Sequence, residues 1–363
     1  MKEISSSLDF EQLLRGLMTR IPFLALESYE REVQIATGTM SRADAVAQVS
    51  IGDQSWTLVV EEKRLGQPRE VRHTVLQLER ALQSLPSPAY GLLLAPFISE
   101  ESARICAEAG IGYADLSGNA RLSFGQVYIE MKSADRPYRE QRQRRSLFTP
   151  KAERILRVML TPPLRGWKVE ELAAAAGVSL GQVSNVRKQL LDQEWAITSE
   201  KGLWLNRPEM LAREWQKAYG KRSQKEEKLY TLLQGEEFER AMRKALADAG
   251  EGEHAVLASY SAARWLAPYA RQATQFFYVD EMGGEILKKY LQLQPVPRGE
   301  NVVLIHPKED DLFAGRIEAA PNIWCTGLVQ TWLDLGVAGE RGVEAAEHLL
   351  QEKLLPAWQA EEL

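Results

Sequence analysis

Hydrophobic positions recur along this chain with two periods. Spacings of three and four mark helices at 9–18, 21–32, 71–85 and 99–109. In the third, Val71, Val75, Leu78 and Leu82 share one face. In the fourth, Ser99 is placed to cap the first turn and Gly110 to end the last. Alternation marks strands at 43–51 and 56–63, joined through the turn Gly52-Asp53-Gln54. The uninterrupted apolar run 90–94 reads as a strand covered on both faces, and 112–114 with 121–128 as a strand pair. Residues 1–135 thus predict a mixed α/β domain around a central sheet. An α/β pattern returns at 230–363, with strands at 255–258, 275–279 and 302–306 and helices at 236–249, 261–269 and 340–354. Between the two lie an arginine-rich linker at 136–148, a mostly helical segment at 149–207 and a helical connector at 208–229.

Composition changes this picture little. With 363 residues, 45% apolar and 26% charged, the chain is an ordinary globular protein of two or three domains. Two distant cysteines, Cys106 and Cys325, and four scattered histidines offer neither a disulfide framework nor a zinc site. Reduced thiols, no secretory pattern at 1–10 and no apolar run near the roughly 20 residues of a membrane helix predict a cytoplasmic protein without membrane partners. There is no phosphate loop and no dinucleotide fingerprint. No cofactor is expected from these patterns.

Charge is more informative when partitioned. The total is −5, yet 136–205 carries 13 basic and 7 acidic residues, a net of +6, whereas 230–363 carries 12 basic and 21 acidic, a net of −9. The basic band coincides with VEELAAAAGVSLGQVSNVRKQLLD at 169–192. A short alanine-rich helix, a turn at Gly177, a cap at Ser179 and a second helix form the pattern of a helix-turn-helix that enters the major groove. Val183, Val186 and Leu190 face inward on the second helix. Gly181, Ser184, Asn185 and Lys188 then face outward with Gln182 beside them, a set of amides, hydroxyl and cation suited to base edges and phosphates. Two short apolar strands around a glycine-containing turn, 195–204, complete a winged helix-turn-helix. The linker arginines, Arg142, Arg144 and Arg145 among them, would hold phosphates.

The first domain contains a second chemical pattern. Asp44 stands on one strand and Glu61-Glu62-Lys63 on the next. Residues two apart on a strand share a face, so Glu61 and Lys63 point together. Two carboxylates with a lysine can hold Mg²⁺ and help activate a water. The spacing resembles restriction-endonuclease-like domains of the PD-(D/E)XK type. That resemblance extends to Gln77 on the following helix and implies metal-dependent nuclease chemistry. Glu27 or Glu30, on the preceding helix, could add a ligand. The stretch GIGYADLSGNAR, 110–121, reads as a tight turn built by Asp115, Gly118 and Asn119.

In the last segment, strand, Ser259-Tyr260-Ser261 turn and helix resemble a nucleotidyltransferase fold. The paired acidic residues an active member needs are missing; Asp280 stands alone at its strand end. Ser261-Ala262-Ala263, Val329-Gln330, Trp332-Leu333-Asp334-Leu335, Arg341-Gly342 and Glu344-Ala345-Ala346 are similar to the AbiEi family of type IV toxin–antitoxin antitoxins, as is GIGYADLSGNA in the family's longer form. The better-known shorter members begin with their winged helix, which here lies mid-chain. The resemblance implies a transcriptional regulator that binds an operator, represses its own operon and counteracts a nucleotidyltransferase-like toxin. Palindromic operators would favour a homodimer. The alternative is a nuclease using Asp44, Glu61 and Lys63, targeted by the winged helix.

Overall fold

The computed structural model describes residues 10–21, 23–35, 42–133, 147–220, 224–249, 254–269, 272–308 and 311–360. The chain is a multidomain α/β protein. Its contacts separate two compact units, Met1–Ser146 with Lys188–Glu194 and Leu147–Arg187 with Trp195–Leu363.

In the first unit, helix α1 (Phe10–Met18) precedes a seven-stranded sheet whose spatial order follows the sequence: β1 (Leu24–Gln34), β2 (Arg42–Ile51), β3 (Gln54–Glu62), β4 (Ala89–Ala95), β5 (Gly112–Asp115), β6 (Ala120–Phe124) and β7 (Val127–Met131). β1, β2 and β3 form an antiparallel meander. β3, β4 and β5 run parallel, so helices must carry the chain back: α2 (Pro68–Gln83) and α3 (Glu100–Glu108). Phe10, Leu14 and Met18 of α1 cover one face, against Val49, Leu58, Val60 and Leu92. Val71, Val75 and Leu78 of α2, with Ile105 and Cys106 of α3, cover the other, against Val59 and Leu93. β4 is buried on both sides for this reason, as its apolar run predicts.

The helix predicted at 21–32 is instead the edge strand β1. A register shift between Leu26 and Ser28 interrupts its alternation, leaving Leu24, Leu26, Tyr29 and Val33 at spacings that imitate a helix. At 115–119 the backbone does turn tightly. Asp115, wholly buried, accepts from the backbone nitrogens of Ile98, Ser117 and Asn119 and from Asn119 Nδ2 at 2.8–2.9 Å, and Gly118 takes φ 93°.

The second unit opens with α4 (Pro150–Leu160), α5 (Val169–Ala176) and the part of α6 (Leu180–Asp192) up to Arg187, and resumes with the hairpin β8 (Ala196–Ser199) and β9 (Gly202–Leu205). Trp167, just before α5, bridges to Leu203 and extends the hairpin by one residue pair. α7 (Pro208–Tyr219) leads into a second seven-stranded sheet. Its strands are β10 (Lys225–Tyr230), β11 (Ala255–Leu257), β12 (Gln275–Val279), β13 (Gln294–Pro295), β14 (Val302–His306), β15 (Ile317–Ala320) and β16 (Ile323–Cys325), in the order β13-β10-β14-β12-β11-β16-β15. Residues predicted as one helical connector, 208–229, are thus a helix and most of a sheet strand; the charges of KEEKLY hid the strand. α8 (Gly235–Asp248), α9 (Ser259–Leu266) and α10 (Glu281–Tyr290) pack Met242, Leu246, Ala262 and Leu287 against Leu257, Phe277 and Leu304. The chain ends in α11 (Leu328–Gly336) and α12 (Glu340–Leu349), a π-helical turn Leu350–Leu354 and α13 (Leu355–Gln359). No helix among the described residues is long and apolar enough to cross a membrane.

Candidate functional site

Three sites follow from these elements. The first is the exposed side of α6. Gly177 ends α5 in the left-handed conformation, φ 61° and ψ 41°, which a glycine adopts without strain. Ser179 Oγ accepts from Gln182 N at 3.3 Å, so this serine is occupied in starting α6. Val183, Val186 and Leu190 are buried. Ser184, Asn185 and Lys188 are exposed, and Gln182 is half-buried beside them. Behind this face, Arg187 Nη2 donates to Thr198 Oγ1 of the hairpin at 3.3 Å. The Arg165 guanidinium lies 3.5 Å from the Trp167 ring centre, a cation–π stack. The segment 149–205 carries 8 basic and 6 acidic residues, a net of +2. Most of the predicted basic band therefore resides in the linker, where Arg142, Arg144 and Arg145 lie outside the described residues.

The second site is on the first sheet. β2 pairs with β3 so that Ala45 faces Val60, which sets Asp44 beside Glu61 one step further along. Lys63 Nζ is 2.5 Å from Glu61 Oε2 and 3.2 Å from Asp44 Oδ2, and Asp44 Oδ2 also accepts from Glu62 N at 2.8 Å. Glu61 is 4% exposed. Burial raises its carboxyl above the ordinary carboxylate range, Lys63 draws it back only in part, and the Asp44 charge adds to the rise. Burial pulls the Lys63 ammonium down, but Glu61 and then Asp44 outweigh it and leave it above its ordinary value. All three predicted residues thus converge.

Others predicted with them do not. Gln77 is half-buried on α2 and is not a hydrogen-bond partner of the three. Glu27 and Glu30 lie on strand β1, not on a helix. Glu27 accepts from Ser50 Oγ at 2.7 Å, away from the group. Glu70 at the start of α2, which the sequence pattern does not single out, feels the Lys63 charge. Among the described residues no group of three His, Cys, Asp or Glu could hold a metal. Two adjacent carboxylates still suit Mg²⁺, which commonly takes one or two carboxylates and fills its octahedron with waters and substrate oxygens.

The third site lies inside the second unit; the sequence marks Gln330 and Asp334 as parts of a family-like motif but not the partners they meet. Asp334 Oδ1 accepts from Tyr219 Oη at 3.0 Å, Tyr278 Oη at 3.1 Å and Gln330 Nε2 at 2.8 Å. Gln330 Nε2 also donates to Tyr219 Oη at 2.7 Å, and Gln330 Oε1 accepts from Arg157 Nη2 of α4 at 3.0 Å. Asp334 Oδ2 is buried and accepts nothing among the described residues. Burial lifts the Asp334 carboxyl to about 6, against the pull of Tyr219, Gln330, Tyr278 and Arg157. Asp280, by contrast, is a helix cap: its carboxylate accepts from Gly283 N at 2.7 Å and from His254 N at 2.8 Å. Burial pushes the thiols of Cys106 and Cys325 up to about 12, so both are poor nucleophiles.

Residues 204–355 match a family described as transcriptional regulator, AbiEi antitoxin, type IV TA system. No curated protein and no solved structure matches the chain.

Proposed function

We propose, from the match of residues 204–355 to the AbiEi family of transcriptional regulators, the antitoxins of type IV toxin–antitoxin systems, that this chain reads DNA through α6. The observation that carries the reading is the division of α6 into a buried apolar face and an exposed face of Ser184, Asn185 and Lys188, directly followed by a hairpin. In this reading 149–207 is a winged helix-turn-helix. Asn185 and Gln182 read base edges in the major groove, Ser184 and Lys188 position the helix, Ser179 serves as its cap, and Arg142, Arg144 and Arg145 bind phosphates. The protein is a cytoplasmic regulator that binds an operator in double-stranded DNA as a homodimer. It represses its own operon and counteracts a nucleotidyltransferase-like toxin. The last α/β domain is a degenerate nucleotidyltransferase fold without its paired metal carboxylates.

Gel shift with promoter DNA from upstream of the gene tests the groove assignment. An Asn185→Ala, Lys188→Ala double variant should bind at least about tenfold more weakly, given roughly 1–3 kcal/mol for each good base contact. Unchanged affinity removes α6 from the interface.

We propose a second reading for the first domain because Asp44, Glu61 and Lys63 converge. It takes 1–135 as a restriction-endonuclease-like fold in which Asp44 and Glu61 would hold Mg²⁺, the ion supplying Lewis-acid activation of a phosphodiester. Lys63 would orient the attacking water by hydrogen bonding. Incubation of the full chain with DNA and Mg²⁺ or Mn²⁺, with Lys63→Ala as control, tests it. Cleavage absent from both proteins leaves the regulator reading alone.

A further inference from the structure

The family-like motif around 330–334 contains three buried polar residues that the regulator reading does not use; Thr331 bonds locally to Thr326, whereas Gln330 and Asp334 reach other helices. A helix surface inside a core usually carries apolar residues, and Trp332, Leu333 and Leu335 fit that rule. Gln330 and Asp334 do not: they are 1% and 8% exposed and four residues apart on α11, hence on one face of the helix. Burying an amide and a carboxyl is costly unless each is satisfied, so their retention in the core needs a physical reason.

Their partners supply one. Gln330 accepts from Arg157 of α4, and Gln330 and Asp334 together take up the hydroxyl of Tyr219 at the end of α7. α4 and α7 are the helices that enclose 169–205 in sequence, and α4 packs directly on α5. Neighbouring bonds run the same way. Trp215 Nε1 of α7 donates to the buried Glu153 of α4 at 3.1 Å, and Trp358 Nε1 of α13 donates to the Leu160 carbonyl that ends α4 at 2.8 Å. A chain of directional bonds therefore joins α11 to α4, the helix that packs on α5, and α5 leads through the Gly177 turn into α6.

We infer that Gln330 and Asp334 are positioning residues for the DNA reader: through Arg157 and Tyr219 they fix α4 and α7, and so the pose in which α6 is presented. The inference rests on the reading of α6 as the DNA-contacting helix. Hydrogen bonds, unlike apolar contacts, accept few orientations, so such a seam specifies one arrangement of packed helices. It also makes that arrangement sensitive to protonation. The groups facing Asp334 are Arg157 from α4, Tyr219 from α7, Tyr278 from β12 and Gln330 on its own helix. Arg157 alone among them carries charge near neutrality, and the Gln224 amide in turn donates to Tyr278. No histidine occurs in 147–220, so the reader itself has no imidazole to titrate there.

Binding of the full chain to a labelled duplex covering the promoter upstream of the gene, measured from pH 5 to pH 8, tests this. Wild type should show an inflection near pH 6. Asp334→Asn keeps the acceptor oxygen for Tyr219, Tyr278 and Gln330 but is uncharged at every pH, so it should show a flat profile at the affinity wild type reaches below its inflection. Gln330→Leu should weaken binding about fivefold or more, the lower end of coupling between distinct sites. Identical pH profiles for wild type and Asp334→Asn, or wild-type affinity in Gln330→Leu, overturn the positioning role while leaving α6 as the reader. Failure of wild type to bind the duplex at every pH overturns the DNA reading itself. If Gln330→Leu does not fold, by circular dichroism, Asp334→Asn carries the comparison.

Discussion

Each unit of this protein buries carboxyl groups, and one from each, Glu61 and Asp334, makes the contrast plain. Glu61 in the first sheet meets a full positive charge, the Lys63 ammonium at 2.5 Å, with Asp44 as a second anion on the same cation. Asp334 on α11 meets two phenols and an amide, all on one oxygen, and the guanidinium of Arg157 is hydrogen-bonded to that amide, on Gln330 Oε1. The first arrangement is an ion cluster in which one cation could be exchanged for another. The second is a hydrogen-bond seam of phenols and an amide around a carboxyl that burial lifts to about 6. Chemistry is the natural use of the first, and holding one geometry the natural use of the second.

The comparison breaks most easily at Lys63. Lys63→Ala leaves Glu61 buried without its counter-ion, and the first unit should lose about 3 kcal/mol at pH 8, the low end for breaking a buried pair because Asp44 is partly solvated. Hydrogen exchange of β2 and β3 measures the loss. It should shrink toward pH 5, since a carboxyl raised above its ordinary value binds its proton more readily folded than unfolded. A loss that does not depend on pH would mean that Lys63 acts by packing and not by charge.

Next in size is the linker. Arg142→Ala, Arg144→Ala and Arg145→Ala together should flatten the slope of log affinity against log salt by up to about 3, roughly one per phosphate contact, and equally for any DNA sequence. An unchanged slope would place the phosphate contacts on α6 and the hairpin.

Asp334 should contribute less. Its folded value, about 6, lies above the 3.8 of an unperturbed aspartate, so its ionisation costs stability that returns as pH falls through 6. The second unit should gain about 1 kcal/mol between pH 7.5 and pH 5, and Asp334→Asn should lose that gain in urea titrations at the two pH values. Ser179→Ala should have the smallest effect, about 1 kcal/mol or less on the same unit from the lost cap, with sequence preference on DNA retained. A changed preference would make Ser179 a base contact as well as a cap.

Much of this was open to sequence reading. Alternation placed β2 and β3, and two-residue spacing brought Glu61 and Lys63 to one side. Apolar spacing oriented α6, and Gly177 with Ser179 marked its boundary. The misreadings have specific causes. A bulge gave β1 a helical rhythm, the charges of β10 disguised a strand, and Gln77, on the helix where it was expected, makes no hydrogen bond to the carboxylate cluster.

What the sequence determined by itself is everything carried by local periodicity and local backbone preference: which faces are apolar, where helices begin, and which charges cluster along the chain. It also carried the family motif around 329–346. Only the tertiary structure decided what that motif does inside the fold. Gln330 and Asp334 find partners 173 and 115 residues away, at Arg157 and Tyr219. No period reports such contacts, because they depend on how helices pack after they have formed. The buried carboxyl of Asp334 takes its properties from that packing, whereas the exposed face of α6 takes its own from the order of residues along one helix.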